Sequence, residues 1–244
     1  MYEELVMELK GKVAIITGAS SGIGWAIAEN LHEAGVQLVL TGRRAERLEE
    51  LAANLNGAMT IAGDIADAGM PGRLLDAALE RFGQCDIVVN NAGVMTVGPI
   101  EDIDIDAVCK MARINVEAVY RMAYVALKHF KSTGSGFLLN LSSILGTKVR
   151  PTTGAYAGTK YAIEALTEAL RMELAKTDIG IACIEPGLVK TELHREWDVH
   201  PTEALDIPRA LKPEDIARMA RFILEQPSHV RIHRLLTLPT DQSI

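Results

Sequence analysis

The chain has 244 residues, 48% of them hydrophobic and 23% charged, with a formal net charge of −7. That acidic balance argues against nucleic acid and against an anionic membrane surface as partners, and no apolar run reaches the length a membrane helix needs. The N-terminal Met1-Tyr2-Glu3-Glu4-Leu5 lacks the features of a secretory signal. Cys85, Cys109 and Cys183 have no paired spacing and are expected as small buried thiols in a reducing cytoplasm, with no metal site.

After a polar lead-in, Val13-Ala14-Ile15-Ile16 is a continuous apolar run, predicted to be a strand buried on both faces. It leads into Thr17-Gly18-Ala19-Ser20-Ser21-Gly22-Ile23-Gly24 and a helical stretch over 25–34. Glycines between a strand and a helix let the backbone turn tightly against a phosphate, and the helix N-terminus offers free N–H groups. The spacing G-x-x-x-G-x-G is neither G-x-G-x-x-G nor a Walker loop. A second strand over 36–41 ends at Gly42-Arg43-Arg44, and a helix is predicted over 45–55. In dinucleotide folds an acidic residue near this place holds a ribose 2′-hydroxyl. Gly42 stands there instead, and an arginine such as Arg43 accommodates a 2′-phosphate.

A short third strand over 59–62 precedes Gly63-Asp64-Ile65, and a helix follows over 71–82. The fourth strand, 86–89, ends in Asn90-Asn91-Ala92-Gly93. One long helical region over 103–131 contains Asn115, and a fifth strand over 136–141 ends in Ser142-Ser143. A helix carrying Tyr156 and Lys160 runs to about 176; a sixth strand over 179–184 ends in Glu185-Pro186-Gly187. Residues 188–211 have little periodicity and are expected to form a lid. A helix over 212–225 and a last strand over 235–238 complete the pattern. Alternating strands and helices predict an α/β fold in one domain, 1–244: a doubly wound, mostly parallel Rossmann sheet of about seven strands with helices on both faces.

Tyr156 and Lys160 are four residues apart, on one face of their helix. A free phenol has a pKa of about 10, and bringing it to about 7 requires about 4 kcal/mol. One cation about 4 Å away supplies roughly that at an effective dielectric of 20, so the pair is expected to make a proton donor near neutrality.

Thr17–Gly24, Asp64, Asn90–Gly93, Asn115, Ser143, Tyr156-Ala-Gly-Thr-Lys160 and Pro186-Gly187, in this order, resemble the short-chain dehydrogenase/reductase family in its single-domain form. The family's serine precedes its tyrosine by thirteen residues, which selects Ser143 over Ser142. The C-terminal Arg234–Gln242 is also similar to the branch with clavulanate and 3-hydroxy-acid dehydrogenases. The resemblance implies Tyr156 as general acid or base, with Lys160 lowering its pKa and binding the nicotinamide ribose. It implies Ser143 as hydrogen-bond donor to the substrate oxygen, and Asn115 as holder of a water that resupplies protons through Lys160. Cofactor contacts are implied for Gly18, Ser20, Ser21, Gly22, Ile23, Gly24, Arg43, Arg44, Asp64, Ile65, Asn91, Ala92, Gly93, Pro186, Gly187, Val189 and Thr191.

The missing acid at Gly42 favours NADP(H). The implied activity interconverts a small carbonyl compound and an alcohol; the alternative is a catalytically silent dinucleotide-binding regulator. Met95, Leu145, Val149, His194 and Trp197 are candidate substrate-pocket residues. Glu185, where smaller polar residues are commoner, either touches the cofactor pocket or caps its strand, and the cap is the favoured reading. A homotetramer or homodimer is expected through the helices over 103–131 and 156–176, as family members commonly assemble.

Overall fold

The computed structural model describes residues 8–194, 199 and 201–243. Seven parallel strands form one sheet: β1 (Val13–Thr17), β2 (Gln37–Gly42), β3 (Met59–Ala62), β4 (Ile87–Asn90), β5 (Ser135–Leu141), β6 (Asp178–Pro186) and β7 (Arg234–Thr237). Their spatial order is β3-β2-β1-β4-β5-β6-β7. The chain winds outward from β1 in one direction and from β4 in the other, so the crevice between β1 and β4 is the switch point at which such sheets bind ligands.

Helices α1 (Gly22–Glu33) and α2 (Ala45–Asn54) follow β1 and β2; α3 (Met70–Phe82) follows β3. Then come α4 (Ile105–Ala112), α5 (Val119–Thr133), α6 (Gly154–Glu173), the short α7 (Pro201–Ala204) and α8 (Pro213–Leu224). The alternation along β1 shows why Val13 to Ile16 are all apolar. Ala14 and Ile16 join a core with Ile27, Leu48 and Ile216 of α1, α2 and α8. Val13 and Ile15 face the opposite core, with Leu74, Phe130 and Leu170 of α3, α5 and α6. Both faces of the sheet are covered, as a parallel sheet requires.

Four expectations change. The single helix expected over 103–131 is α4, a π-helical turn over Arg113–Ala118, and α5. The wider turn coincides with Asn115, whose amide is tied in both directions to the Val94 backbone, and such turns occur often at functional sites. Helix α6 stops at Glu173 rather than near 176; Lys176 has φ +66°, a left-handed backbone that cannot continue the helix. Strand β6 extends to Pro186 because β7 pairs with Cys183–Pro186. Cys109 is exposed on α4, whereas Cys85 and Cys183 are buried: only Met111 of the α4 residues is fully buried, so one face of the helix stays in solvent.

The 188–211 segment closes at its neck. Lys190 N–H donates to Leu211 O at 2.8 Å and Leu211 N–H to Leu188 O at 2.9 Å. Gln242 Oε1 accepts from Leu188 N–H at 2.8 Å, and Asp241 accepts from Arg209 Nε at 3.0 Å. Trp197 and His200 lie outside the described residues. No helix among the described residues is long and apolar enough to cross a membrane.

Candidate active site

The C-terminal ends of the strands open into a cleft of about 770 Å³. Its floor at the switch point is laced by Thr17, the last residue of β1. Thr17 Oγ1 donates to Val89 O at 3.2 Å and accepts from Asn91 N–H and Ala92 N–H, both at 3.0 Å. Asn91 Nδ2 returns to Thr17 O at 2.8 Å. Gly18 has φ +67°, and a Cβ there would sit 2.8 Å from Ala92 Cα. A Cβ on Gly24 would collide with the Asn91 amide and Gly18 O. These two glycines are therefore needed for the β1 turn to lie against the end of β4.

Most residues expected around a cofactor do line this cleft: Gly18 and Ser20 to Ile23, Arg43 and Arg44, Asp64 and Ile65, Asn91 to Gly93, Tyr156, Lys160, Pro186 and Thr191. Four residues sit just behind the wall. Gly24 packs under the turn; Gly187 packs against Pro239 and Leu238; Val189 is buried in the neck beside Leu211; Asn115 holds Val94 and, at 3.2 Å, Thr159 Oγ1. Met95 lines the cleft. Leu145 packs with Met111 and Tyr156 in a small apolar cluster, His194 is buried, and Val149 is 68% exposed.

Sequence reasoning missed Thr17 as a brace, and it missed Ala107, Lys110 and Ile114 on the cleft wall. Their i, i+3, i+7 spacing is a helical face, a signal obscured because the π turn falls inside it.

The catalytic candidates converge at one end. The Ser143 side chain lies near enough to the Tyr156 hydroxyl to draw its pKa down, and Ser143 Oγ accepts from Leu145 N–H at 3.1 Å. Ser142 is buried and Ser143 half-buried; Ser142 is among the residues that line the cleft, and Ser143 sits behind it beside the Tyr156 phenol. Lys160 Nζ donates to Leu141 O at 2.9 Å and lies 5.8 Å from the centroid of the Tyr156 ring. A Cβ on Gly93 would lie 3.4 Å from Asn115 Oδ1 and 3.9 Å from Lys160 Nζ, so both side chains face this glycine.

The expectation that the lysine alone brings the phenol toward neutrality is not met. Burial pushes the Tyr156 phenol up to about 12, against a smaller downward pull from Ser143. Burial also brings the Lys160 ammonium down to about 8, opposed by the Cys183 and Glu164 side chains. Desolvation outweighs the pairing because both groups lie in the protein interior.

Two charges differ from expectation. Arg44, at the N-terminus of α2, donates to Ser20 O at 3.1 Å and to Glu192 Oε2 at 2.6 Å. Arg43 is exposed, lines the cleft and makes no ion pair among the described residues. Glu185 does more than cap β6: it is 1% exposed and forms a two-pronged ion pair with Arg234 of β7.

A doubly wound sheet with a glycine turn at its switch point and a serine–tyrosine–lysine cluster beside it defines a dinucleotide-fold enzyme class. The family described as short chain dehydrogenase matches residues 12–201. An uncharacterized oxidoreductase of Staphylococcus saprophyticus is 36% identical over 239 residues, covering 96% of this chain and all of that protein. Among solved structures, an alcohol dehydrogenase from the archaeon Thermococcus sibiricus, complexed with 5-hydroxy-NADP, superposes with a TM-score of 0.84 at 33% identity, covering 96% of this chain and 98% of that one. A 3-ketoacyl-(acyl-carrier-protein) reductase from Brucella melitensis, complexed with NADH, gives 0.87 at 30% identity, covering 96% and 99%. The chain belongs to the short-chain dehydrogenase family and is an oxidoreductase of it.

Proposed function

We propose that the protein is an NADP(H)-dependent carbonyl reductase or alcohol dehydrogenase, with Tyr156 as the group that gives and takes the proton. The observation that carries this reading is that Tyr156 and Lys160, with Ser143 beside the phenol, line the same cleft as a glycine turn flanked by Arg43. The residues present suit a nicotinamide dinucleotide. The N-cap residue of α1, Ser21, makes no side-chain capping bond, so the first-turn N–H groups remain available to a diphosphate. Asp64 and Ile65 would border the adenine, Asn91 to Gly93 its ribose, and Pro186 and Thr191 the nicotinamide. The bound nicotinamide supplies the hydride.

The protein's own part is orientation and proton transfer. A phenol pushed up to about 12 holds its proton at neutral pH, which suits the reductive direction. The Ser143 hydroxyl donates to the carbonyl oxygen of the substrate as charge develops there. The nearby Lys160 ammonium stabilises the phenolate that Tyr156 leaves behind. Asn115, which faces Gly93 together with Lys160, holds the water that returns the proton. Met95 and the apolar cluster of Leu145, Val97 and Leu238 around Tyr156 favour an apolar substituent on the carbonyl.

The chain acts as one domain with 188–211 as its lid, in the cytoplasm. Exposed Tyr124, Tyr161 and Met172 on α5 and α6 support assembly into a homotetramer or homodimer through those helices. The oxidoreductase relatives and the Ser143–Tyr156 pair both weigh against the silent regulator.

The test is NADPH oxidation against a panel of ketones, aldehydes and oxo-acids, followed by Tyr156→Phe. Turnover should fall by roughly 10²–10⁴ while cofactor still binds. Near-normal turnover in that variant would overturn the assignment.

A further inference from the structure

Arg44 follows β2 and Glu192 follows β6. These strands are separated in the sheet by β1, β4 and β5, so their ends are four strand spacings apart, roughly 19 Å. Yet the two side chains meet at 2.6 Å. The segment over 191–193 therefore crosses the crevice at the switch point and is tied to its far wall. Two further contacts hold it there, one of them through an arginine that is itself held by a ring. Glu192 Oε1 lies 4.0 Å from Arg47 Nη2, and the Arg47 guanidinium lies over the Trp25 ring at 4.9 Å. A Cβ on Gly22 would meet Thr191 Cγ2 at 3.3 Å.

This crossing decides what Arg44 offers to a ligand. Arg43 and Arg44 together place two cations beside the glycine turn. Glu192 takes one Arg44 donor, Ser20 takes others, and the carboxylate adds a negative charge where a 2′-phosphate would arrive. We infer that Glu192 limits the preference for NADPH over NADH, by holding Arg44 and opposing the 2′-phosphate. The inference rests on the nicotinamide-dinucleotide reading of the cleft. On this view selectivity depends on a residue 148 positions from the arginine it controls. A phosphate must displace the carboxylate from Arg44, whereas a ribose hydroxyl has no charge with which to do so.

The test uses Glu192→Gln, which keeps the side chain's size and removes its charge. Both side chains of the pair are more than a third exposed, so the variant is expected to fold like the parent. Dissociation constants for NADPH and NADH are measured by calorimetry on protein without substrate, at low and high salt. Glu192→Gln should tighten NADPH about five- to tenfold and change NADH less than twofold. The gain should shrink at high salt, because exposed charges are screened. It should fall below threefold in an Arg44→Gln background, where the carboxylate has lost its partner. Glu80→Gln, an exposed change on α3 away from the cleft, should alter neither constant. Weakening of both cofactors by Glu192→Gln would overturn the inference and make Glu192 a strap for either one. An unchanged NADPH:NADH ratio, or a full gain without Arg44, would also overturn it. Wild type that binds neither cofactor would instead sink the dinucleotide reading on which it rests.

Discussion

Glu185 and Arg234 form an ion pair of unequal halves: the carboxylate side chain is 1% exposed and the guanidinium side chain 48%. They stand on adjacent strands, β6 and β7, and Glu185 immediately precedes Pro186, which lines the cleft. Thr147 Oγ1 lies 3.5 Å from the same carboxylate, so the pair also touches the turn that begins at Ser143.

The inequality predicts unequal mutations. Arg234→Met leaves a carboxylate buried without its partner, which costs about 3–5 kcal/mol. Glu185→Gln leaves a guanidinium that reaches water, and should cost roughly 1 kcal/mol, the worth of an ordinary hydrogen bond. Urea unfolding of the two variants measures the difference. Equal losses would mean that the carboxylate is solvated when the arginine is gone.

Cofactor choice should follow Arg43, the cleft cation beside the glycine turn that has no ion-pair partner among the described residues. A hydrogen bond to a charged group contributes roughly 1.5–3 kcal/mol, one to two decades in affinity. Arg43→Ala should weaken NADPH at least tenfold and leave NADH nearly unchanged. Gly42→Asp alone should not reverse the preference cleanly, because a Cβ at Gly42 would stand 3.0 Å from Ser20 Oγ. Combined with Ser20→Gly it should favour NADH. Equal weakening of both cofactors by Arg43→Ala would make that arginine a solvated helix start.

Lys160 should leave a signature in stability against pH. Its folded pKa is brought to about 8 from the usual 10.5. Between those values the unfolded chain holds a proton that the native state has released, so stability from this group rises with pH. Below about pH 8 the cost of burying the ammonium is present in full; toward 10.5 it disappears. The stability of wild type relative to Lys160→Met should therefore grow by about 3 kcal/mol across this window, at 1.36 kcal/mol per unit. Urea midpoints taken at each pH unit for both proteins check it, and parallel curves would contradict it.

The strands and their order of appearance were legible because both faces of the sheet are buried and each strand is a short apolar run. The glycine turn was legible because Gly18 and Gly24 have no steric substitute. What was hidden depends on distance or depth. Nothing near Arg44 in sequence shows that Glu192 reaches it across the sheet. Glu185 reads as a strand end until Arg234 is seen beside it, 49 residues away. The π turn at Asn115 comes from a side chain bonded to the loop after β4, which helical periodicity does not register. The sign of the Tyr156 shift was missed for the same reason: spacing gives the neighbour of a phenol but not the water it loses.

The three cysteines divide the protein's thiol chemistry unequally. Burial pushes the Cys85 thiol up to about 12, and burial beside Glu164 holds Cys183 well above the ordinary thiol range. Neither forms a thiolate near neutrality, which is the form that alkylating reagents attack. Cys109 alone is exposed, and the next residue, Lys110, lines the cleft. A maleimide dye will therefore find a single address without any cysteine being engineered away. That address is one residue from the cleft wall in sequence, so the wild-type chain carries its own attachment point for an optical reporter of occupancy.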